Sequence, residues 1–405
     1  MILELHIIQN FAPSNLNRND TGAPKDCIFG GSRRARISSQ CFKRAMREYF
    51  KDNFTAQGNL AERSTRLVEE IASHLEMAGR EKEESKKIVE TALSGIGLKM
   101  SAKDATKTQY LIFMGREEIK KVAEVCLNNY DALLAVTPKA AVEGEAKSAK
   151  SAKKDAKDAV PAEVSKALQK VLDGGKAADL ALFGRMLADL PDKNREASSQ
   201  VAHAISTHKT GIEFDFYTAV DDLKPEDTAG ADMLGTIEFN SACFYRYANV
   251  NVEKLKDNLQ DDDELTKATV EAYIRAAVEA IPTGKQNSFA THEKPSFVLA
   301  VVRDAGMCSL ANAFVKPAKD SPDTDLVSAS VAALERHWKK LASGYGDDST
   351  KFVLNISDHE LTDLQNSSAN SNGNESQTDS SKKNSQMERL ISNVVGTINF
   401  KAKEA

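Results

Sequence analysis

The segment from residue 25 to 51, KDCIFGGSRRARISSQCFKRAMREYFK, constrains the fold more than any other part of this chain. Apolar residues in its second half recur at i, i+3, i+4 and i+7. They are Phe42, Ala45, Met46 and Tyr49. Such spacing places side chains on one face of a helix, so we expect this face to pack on a core. Polar and basic residues form the opposite face, namely Gln40, Lys43, Arg44, Arg47 and Lys51.

Basic charge is concentrated in this segment. Eight basic residues oppose two acidic ones, a local net charge of +6 in a chain whose total is −5, so the remaining residues carry −11. An ordinary solvated helix face mixes Glu with Lys at i,i+4, and this face does not. The pattern favours a surface that binds an anion. A purely solvated basic face is the alternative that the pattern leaves open.

The residues that lead into the helix suit a phosphate ligand. Ser38 or Ser39 at the N-cap leaves the first amides and the positive end of the helix dipole beside the basic row. The pair Gly30 and Gly31, in a predicted loop from Phe29 to Ser32, lets a backbone approach closely. The same glycines are equally compatible with a tight turn that binds nothing.

Composition excludes several classes of protein. Five cysteines with no C-x-x-C spacing argue against a structural zinc site and against a secreted disulfide framework. His203 and His208 are spaced i,i+5, which is poor spacing for a shared metal on a helix. The sequence shows no Walker A motif, no Gly-x-Ser-x-Gly elbow, no signal peptide and no membrane span. We therefore expect a cytoplasmic protein without a metal, a cofactor or a catalytic group.

The rest of the chain alternates between sheet, helix and low-complexity sequence. Residues 1 to 9 read as a strand ending at Asn10, residues 11 to 24 as a loop that carries Arg18 and Asp20, and residues 60 to 135 as a helical insertion. Residues 137 to 176 hold nine Lys, nine Ala and six acidic residues, typical of a surface helix or a linker. Twelve of the twenty residues from 366 to 385 are Asn or Ser, which predicts a flexible loop.

Two aromatic segments predict strands. Residues 213 to 219 and 234 to 250 are rich in aromatic and β-branched residues, and an acidic, turn-rich segment separates them. A projecting hairpin that carries Phe214, Phe216 and Tyr217 would suit stacking on bases. The alternative is a half-buried strand whose aromatic side chains belong to the core. Residues 295 to 302 read as a buried strand.

Nine short blocks, in the same order along the chain, carry a family resemblance. They are NLNRND (15–20), KDCIFGGSRRARISSQCFKRAMR (25–47), GRM (184–186), VAHAISTH (201–208), FYTAVDDL (216–223), FYRYANVN (244–251), GKQ (284–286), LANAF (310–314) and SGYG (343–346). Together they resemble the backbone-subunit (CasC) family of the type I-E CRISPR Cascade complex. The similarity extends to about residue 356. The Ala/Lys and Asn/Ser segments depart from the family pattern.

The resemblance implies an α+β fold shaped like a right hand. An RRM-like (ferredoxin-like) palm would contain residues 1–58, 181–206 and 236–405, with the flexible loop at 366–385. Helical fingers would occupy residues 59–180, and a β-hairpin thumb residues 207–235. Several copies would polymerise along a guide RNA, and the thumb of one copy would fold over the RNA held by its neighbour.

The resemblance also implies RNA-binding residues. Guide phosphates would be held by Arg18, Lys25, Ser38, Gln40, Lys43 and Arg47. Arg33 and Arg44 of the basic segment are included on charge. Met186 would pack against the RNA at a kink, Phe216, Tyr217 and Thr218 would lie in the thumb near a displaced nucleotide, and Lys285 is the weakest match.

The implied function is a non-catalytic subunit that binds crRNA and presents it for pairing with target DNA. Its partners would be further copies of itself and the other Cascade subunits: the large subunit, the small subunit, the guide-processing endonuclease and the subunit that caps the 5′ end of the guide. The rival is a guide-loaded ribonuclease that cuts target RNA through Asp20. A nucleotide-binding enzyme that uses the loop from Phe29 to Ser32 is a third possibility.

Overall fold

The computed structural model describes residues 1–104, 106–137, 160–219, 233–366 and 385–400. The chain divides into two compact units. The first contains Met1–Asn53, Ser199–Val252 and Lys267–Ala405, and the second contains Phe54–Ser198 and Glu253–Thr266. The segment 220–232, most of the Ala/Lys segment and residues 367–384 of the predicted loop lie outside the described residues.

Eleven strands occur in the described residues: β1 (Ile2–Ser14), β2 (Asp26–Phe29), β3 (Ser32–Ile37), β4 (Ala61–Ser64), β5 (Ile112–Gly115), β6 (Ser199–Val201), β7 (Ala204–Ser206), β8 (Glu213–Ala219), β9 (Met233–Asn251), β10 (Phe297–Arg303) and β11 (Thr350–Asn355). Twelve helices accompany them there: α1 (Ser39–Asn53), α2 (Leu67–Met77), α3 (Lys82–Gly95), α4 (Arg116–Asn128), α5 (Tyr130–Val136), α6 (Ala162–Val171), α7 (Ala178–Phe183), α8 (Val252–Asn258), α9 (Asp263–Glu279), α10 (Gln286–Phe289), α11 (Leu326–Tyr345) and α12 (Gln386–Thr397).

Nine of the strands form one antiparallel sheet in the first unit. Its order is β11-β10-β1-β9-β7-β3-β2, and β6 and β8 also pair with β9. The N-terminal strand lies inside the sheet, where Leu5 is opposite Ala300 on one side and Ala248 on the other. It runs past the predicted end at Asn10 because the long strand β9 continues to pair with it as far as Ser14, across a bulge.

Both faces of this sheet are covered. On one face, Phe42 of α1 packs with Phe11 and Phe244. On the other face, Trp338 of α11 packs with Ile8 and Leu299. Strand β10, which is buried along nearly its whole length, matches the buried strand predicted over residues 295 to 302.

Helix α1 forms where its apolar period predicts. Its buried residues are Phe42, Ala45, Met46 and Phe50. Tyr49, which the spacing assigned to the core, is only half-buried, and its hydroxyl donates to Glu279 at 2.7 Å. Phe50 takes the buried position because a step from Met46 to Phe50 keeps the i,i+4 spacing, whereas the phenolic hydroxyl needs a polar partner.

The predicted loop from Phe29 to Ser32 is a tight β-hairpin turn. Gly30 and Gly31 have φ of +56° and +72°, and they join β2 directly to β3. A Cβ on Gly30 would lie 1.9 Å from the carbonyl oxygen of Val315, so only glycine fits here. The space beside the turn is filled by the protein's own backbone.

The second unit is mainly helical. Its core contains Leu67, Ile71, Leu75, Ile119 and Val122, all of them buried, as the helical period of this region predicts. Strands β4 and β5 add a two-stranded antiparallel sheet that the periodicity did not indicate. Both strands are only four residues long, and the short buried run of β5 is too brief to distinguish a strand from a helix.

The mixed α+β class predicted from the sequence is confirmed. The second unit also includes residues 181–198, which the sequence-based division assigned to the palm. The physical reason is a long-range contact, since Arg185 is paired with Glu118 inside this unit. Within the described ranges, no helix is long and apolar enough to cross a membrane.

Candidate nucleic-acid interface

The loop before β2 is shaped by its own asparagines. Asn19 Oδ1 accepts hydrogen bonds from the backbone N–H groups of Thr21 and Ala23, each at 3.0 Å. Asn15 Nδ2 donates to the carbonyl of Gly22 at 3.0 Å. Such side-chain bonds define turns without help from an apolar core. The loop is therefore ordered while its tip stays exposed.

Asn17 connects this loop to the start of α1. Its Oδ1 accepts from the N–H of Ser38 at 2.8 Å, and its carbonyl accepts from the N–H of Lys25 at 2.9 Å. Ser38 is the N-cap, since its Oγ accepts from the N–H of Cys41 at 3.3 Å. The side chain of Ser38 is thus 5% exposed and already used for capping in the free chain.

A cleft of about 810 Å³ lies between the loop and the helix; we call it the loop–helix cleft. It is lined by Leu16, Asn17, Arg18, Asn19, Asp20, Gly22, Cys41, Arg44, Ala45, Glu48, Pro282, Thr283 and Gly284. Arg18 and Arg44 are exposed, and neither guanidinium has a partner among the described residues. Two free guanidinium groups that line one cleft are suited to bind phosphate oxygens.

The cleft is also lined by residues 282–284, which belong to a tightly packed backbone turn. A Cβ on Gly284 would lie 2.4 Å from the carbonyl oxygen of Leu16, so this position requires glycine. Lys285 follows in the left-handed region, with φ of +53°, and is half-buried. Gln286 Nε2 stabilises the turn by donating to the carbonyl of Thr291 at 2.8 Å. Lys285 is therefore next to the cleft but does not line it.

The other cations of α1 are less free. Gln40 is exposed, whereas Lys43 and Arg47 are half-buried and have partners. Burial lowers the pKa of Lys43 from its ordinary value. Bound phosphate would have to compete with these existing contacts, so the exposed Arg44 is the most accessible cation of the row.

The arginine run on β3 divides into different roles. Arg33 is exposed and paired with Asp26 across the hairpin. Arg34 is fully buried, and it donates to the carbonyls of Thr207 at 2.8 Å and Phe314 at 2.7 Å. Arg34 thus has a structural role. The sequence pattern shows only that Arg33 and Arg34 carry the same charge, so it did not distinguish their roles.

His203 lies next to this run. Arg36 Nη1 is 3.1 Å from His203 Nδ1. Burial and the charges of Arg36 and Lys25 lower the pKa of His203, which keeps its ring neutral near pH 7 and able to accept from Arg36. His208 is engaged elsewhere, since its Nε2 accepts from the N–H of Cys243 at 3.2 Å. In the described ranges, no group of three or more His, Cys, Asp or Glu residues could hold a metal ion.

Met186, in the second unit, is 80% exposed. It follows Gly184, whose φ is +78°, and Arg185, which is buried. An isolated exposed methionine is common on protein surfaces and alone indicates little. What distinguishes Met186 is how firmly its neighbours are fixed.

The β8–β9 hairpin presents two different faces. Residues directly opposite in an antiparallel pair share a face, so Phe214, Phe216 and Leu234 lie together on one side. All three are more than 60% exposed, and the interpretation of Phe214 and Phe216 as core residues is wrong. Tyr217 lies on the other side, where its ring covers Gly235, at 2.4 Å from the position of a Cβ there. Thr218 shares the exposed side with Phe216.

The structure thus brings together only some of the predicted residues. Arg18 and Arg44 line one cleft. Lys25 and Ser38 each donate a backbone N–H to Asn17 of its lining, and Lys285 follows Gly284 in the sequence. Sequence reasoning missed Asn15, Asn17 and Asn19, which organise the loop, and Leu234, which completes the apolar face of the hairpin. The three asparagines between residues 15 and 19 were the feature of the sequence that could have indicated this loop.

Comparisons with known proteins identify a family and similar solved structures. Residues 3–380 match the family model of CT1975-like protein. Among 96 matching chains of solved structures, one from "CRISPR RNA-guided surveillance complex, pre-nicking" is 27% identical, with a TM-score of 0.80 over 98% of this chain and 99% of that chain. Another, from "CRISPR RNA-guided surveillance complex", shares the fold, with 24% identity and a TM-score of 0.70 over 98% of this chain and 100% of that chain. The curated protein sequences contain no match.

Proposed function

The chain belongs to the CT1975-like protein family, and from this premise we propose that it is a non-catalytic subunit of a Cascade-type complex that binds guide RNA. In this proposal it is the backbone subunit of a type I-E complex. Several copies polymerise along the crRNA and present its bases to target DNA, together with the large, small, guide-processing and 5′-end-capping subunits. The likeness to a chain of an RNA-guided surveillance complex over nearly its whole length supports this assignment.

The observation that carries the proposal is the loop–helix cleft. Arg18 and Arg44 reach it from different elements, both exposed and without a partner in the described part of the chain. The capped N-terminus of α1 adds a partial positive charge beside them. No base-reading geometry is needed, because a subunit that holds the backbone leaves sequence recognition to pairing.

Salt dependence of RNA binding tests the proposal. Replacing Arg44 with alanine should reduce the slope of log K against log salt by roughly 0.7–1, the value for one lost phosphate contact. Arg336 provides a matched control, since it is an exposed arginine on α11, which covers the opposite face of the sheet. If Arg44→Ala and Arg336→Ala both keep the parent slope, the cleft is a solvated surface.

The ribonuclease alternative is tested at Asp20, which lines the same cleft. Assembled complex incubated with Mg²⁺ and RNA complementary to the guide should leave that RNA intact. Regular cuts that disappear in Asp20→Ala would replace the non-catalytic assignment with the nuclease. Asp192, in the second unit, gives a matched carboxylate control, because Asp192→Ala removes an exposed acid that the cleft does not contain.

A further inference from the structure

Asn15 is a buried amide at the base of the loop that precedes β2. It follows the end of β1 at Ser14, and only 1% of it is exposed. Its Nδ2 donates to two carbonyls, that of Gly22 at 3.0 Å and that of Glu238 at 2.8 Å. Asparagine is seldom buried in proteins without such bonds, because its amide loses hydration. The residue therefore connects the loop to strand β9.

The orientation of this amide follows from its partners. Two carbonyl oxygens can accept from an NH₂ group and cannot donate, so the nitrogen of the amide must face them. The Oδ1 atom is buried without a hydrogen-bond partner among the described residues. A buried oxygen that accepts no bond is unfavourable, so the amide as a whole adds little net stability. The role of Asn15 is better explained by the two segments that it joins.

The loop itself is a small antiparallel turn. Arg18 pairs with Pro24 as an isolated β-bridge. The turn between them contains Gly22, whose φ is +92° and which lines the loop–helix cleft. By binding Gly22, the Asn15 amide ties this turn back to the sheet. The backbone of Arg18 is thereby fixed, while its side chain stays exposed.

A second contact supports the base of the loop. A Cβ on Gly284 would lie 2.9 Å from the carbonyl oxygen of Asn15 and 2.4 Å from that of Leu16. The turn at residues 282–284 therefore lies directly against this backbone. The base of the loop is thus held both by this turn and by strand β9.

We propose that Asn15 is a positioning residue, which holds the loop so that the guanidinium of Arg18 meets the RNA backbone without first being ordered. The inference rests on the proposed RNA-binding function and extends it to a residue that does not touch the ligand. A flexible loop loses conformational entropy when it binds, and this loss lowers the affinity. A loop that is fixed in the free chain avoids the loss. Arg44 needs no such support, because helix α1 carries it.

Double-mutant cycles on the intact chain test this role, with a fluorescently labelled, single-stranded guide RNA titrated at several salt concentrations. In the parent, Arg18→Ala and Arg44→Ala should each reduce the slope of log K against log salt by roughly 0.7, the value for one lost phosphate contact. In the Asn15→Ala background, Arg18→Ala should change the slope by less than half as much. Arg44→Ala should keep its full effect there, because the bonds of the Asn15 amide lead to the loop and to β9.

Asn258 offers a matched control in the second unit. It is 9% exposed, and its Nδ2 also donates to two carbonyls, those of Ala181 at 3.0 Å and Glu196 at 2.9 Å. Asn258→Ala thus removes the same pair of bonds from the other unit, and both arginines should keep their full effects in this background. A loss of stability alone would act alike in the two backgrounds, so the comparison separates positioning from folding.

A second variant tests whether donation by the amide matters. Asn15→Asp keeps the shape of the side chain but places a carboxylate against two carbonyl oxygens, so the effect of Arg18→Ala should shrink here too. If neither Asn15 variant folds, hydrogen exchange of the free parent decides. The backbone amides of residues 19–23 should exchange about tenfold slower than in an unstructured peptide. Exchange at the unstructured rate would show a loop that is not held.

Two results of the cycles would overturn the positioning role. One is the same Arg18→Ala effect in the parent and in a folded Asn15 variant. The other is an equal loss of the Arg18 and Arg44 effects in the Asn15→Ala background, which would indicate general destabilisation. In both cases the parent still binds RNA with a slope that depends on Arg44, so the proposed function stands. A parent protein that binds no RNA overturns both the function and the positioning role.

Discussion

Among single residues, His6 is the most unusual ionisable group of the core. It is fully buried on β1, its Nδ1 is 2.9 Å from the hydroxyl of Tyr245, and its ring centroid is 5.2 Å from that of Tyr247. Burial, followed by the charge of Arg303, lowers the pKa of His6 to about 3. Among the described residues, the buried Nε2 of His6 has no hydrogen-bond partner that could accept a second proton, so the fold favours the neutral ring.

This burial predicts a loss of stability in mild acid. The unfolded chain takes up a proton on His6 near pH 6.5, whereas the folded chain does so only near pH 3. Stability from this group is therefore complete above pH 6.5 and falls as the pH drops towards 3. At pH 5 the free energy of unfolding should be lower by about 2 kcal/mol. Urea unfolding followed by the fluorescence of Trp338, the single tryptophan, measures it, since the indole centroid is 6.4 Å from His6.

The variant His6→Gln isolates the effect. Its side chain does not titrate, so its stability should change less than that of the parent between pH 7 and pH 5. Other histidines with lowered pKa, His203, His208 and His337, are present in both proteins and cancel in the difference. Equal losses in parent and variant would show that His6 is not kept neutral by the fold.

Residues also show where sequence reasoning stops. Arg33 and Arg34 are neighbours of the same type, yet one is exposed and the other is bound to carbonyls from residues more than 170 positions away. Charge alone does not show which of the two arginines is buried, because burial depends on strands that are remote in the chain. Alternation along β3 predicts that the two side chains point to opposite faces, but not which face is covered.

At the level of elements, the β8–β9 hairpin makes the most specific prediction. Phe216 is 65% exposed, so Phe216→Ala should change stability by no more than about 0.5 kcal/mol. Tyr217 covers Gly235 on the other face, and Tyr217→Ala should cost about 1 kcal/mol of cross-strand packing. If the exposed face contacts RNA, only Phe216→Ala should weaken RNA binding per folded molecule.

Thermal melting and RNA titration of the two variants measure both effects. Thr236→Ala is the control on the exposed face, since Thr236 is exposed directly opposite Phe216 and its replacement removes no aromatic ring. A Phe216→Ala protein that melts many degrees earlier, beside a Tyr217→Ala protein of parent stability, would reverse the assignment of the faces.

The sequence predicts whether these segments are strands or helices better than it predicts which of their side chains are buried. Alternating aromatic residues in 213 to 219 correctly predicted a strand, and the period from Phe42 to Met46 correctly predicted a helix. The exposure of Phe214 and Phe216 was not predictable, because a strand with apolar residues on one face has the same pattern whether that face is covered or not. The sequence also left open whether Gly30 and Gly31 form a ligand-binding loop or a plain turn. The carbonyl of Val315, which fills the space beside the turn, is distant in sequence.

For the whole molecule, the sequence predicted the α+β class but not how the chain divides. The hydrophobic periodicity indicates that helices replace strands near residue 60. The second unit of the structure begins at Phe54. The second unit continues past residue 181 to Ser198, because the pair between Glu118 and Arg185 joins residues 67 positions apart and leaves no local signal in the sequence. The lining of the loop–helix cleft was not predictable as a set, since Gly284 is distant in sequence from the loop and the helix.

A subunit that binds RNA through its backbone should assemble in numbers set by RNA length. One copy has a mass of 44.1 kDa, so the mass of the complex should rise in steps of that size as the RNA is lengthened by a constant number of nucleotides. The sequence of the RNA should not matter, because phosphate contacts carry no base information. Mass photometry of the protein with RNAs of graded length and scrambled sequence measures these steps.

The variant Arg18→Ala with Arg44→Ala, which removes both free guanidinium groups of the cleft, should need lower salt to reach the same copy number, whereas Arg336→Ala should not. A constant single copy on every RNA length would contradict polymerisation and leave a subunit that binds one defined site on the guide.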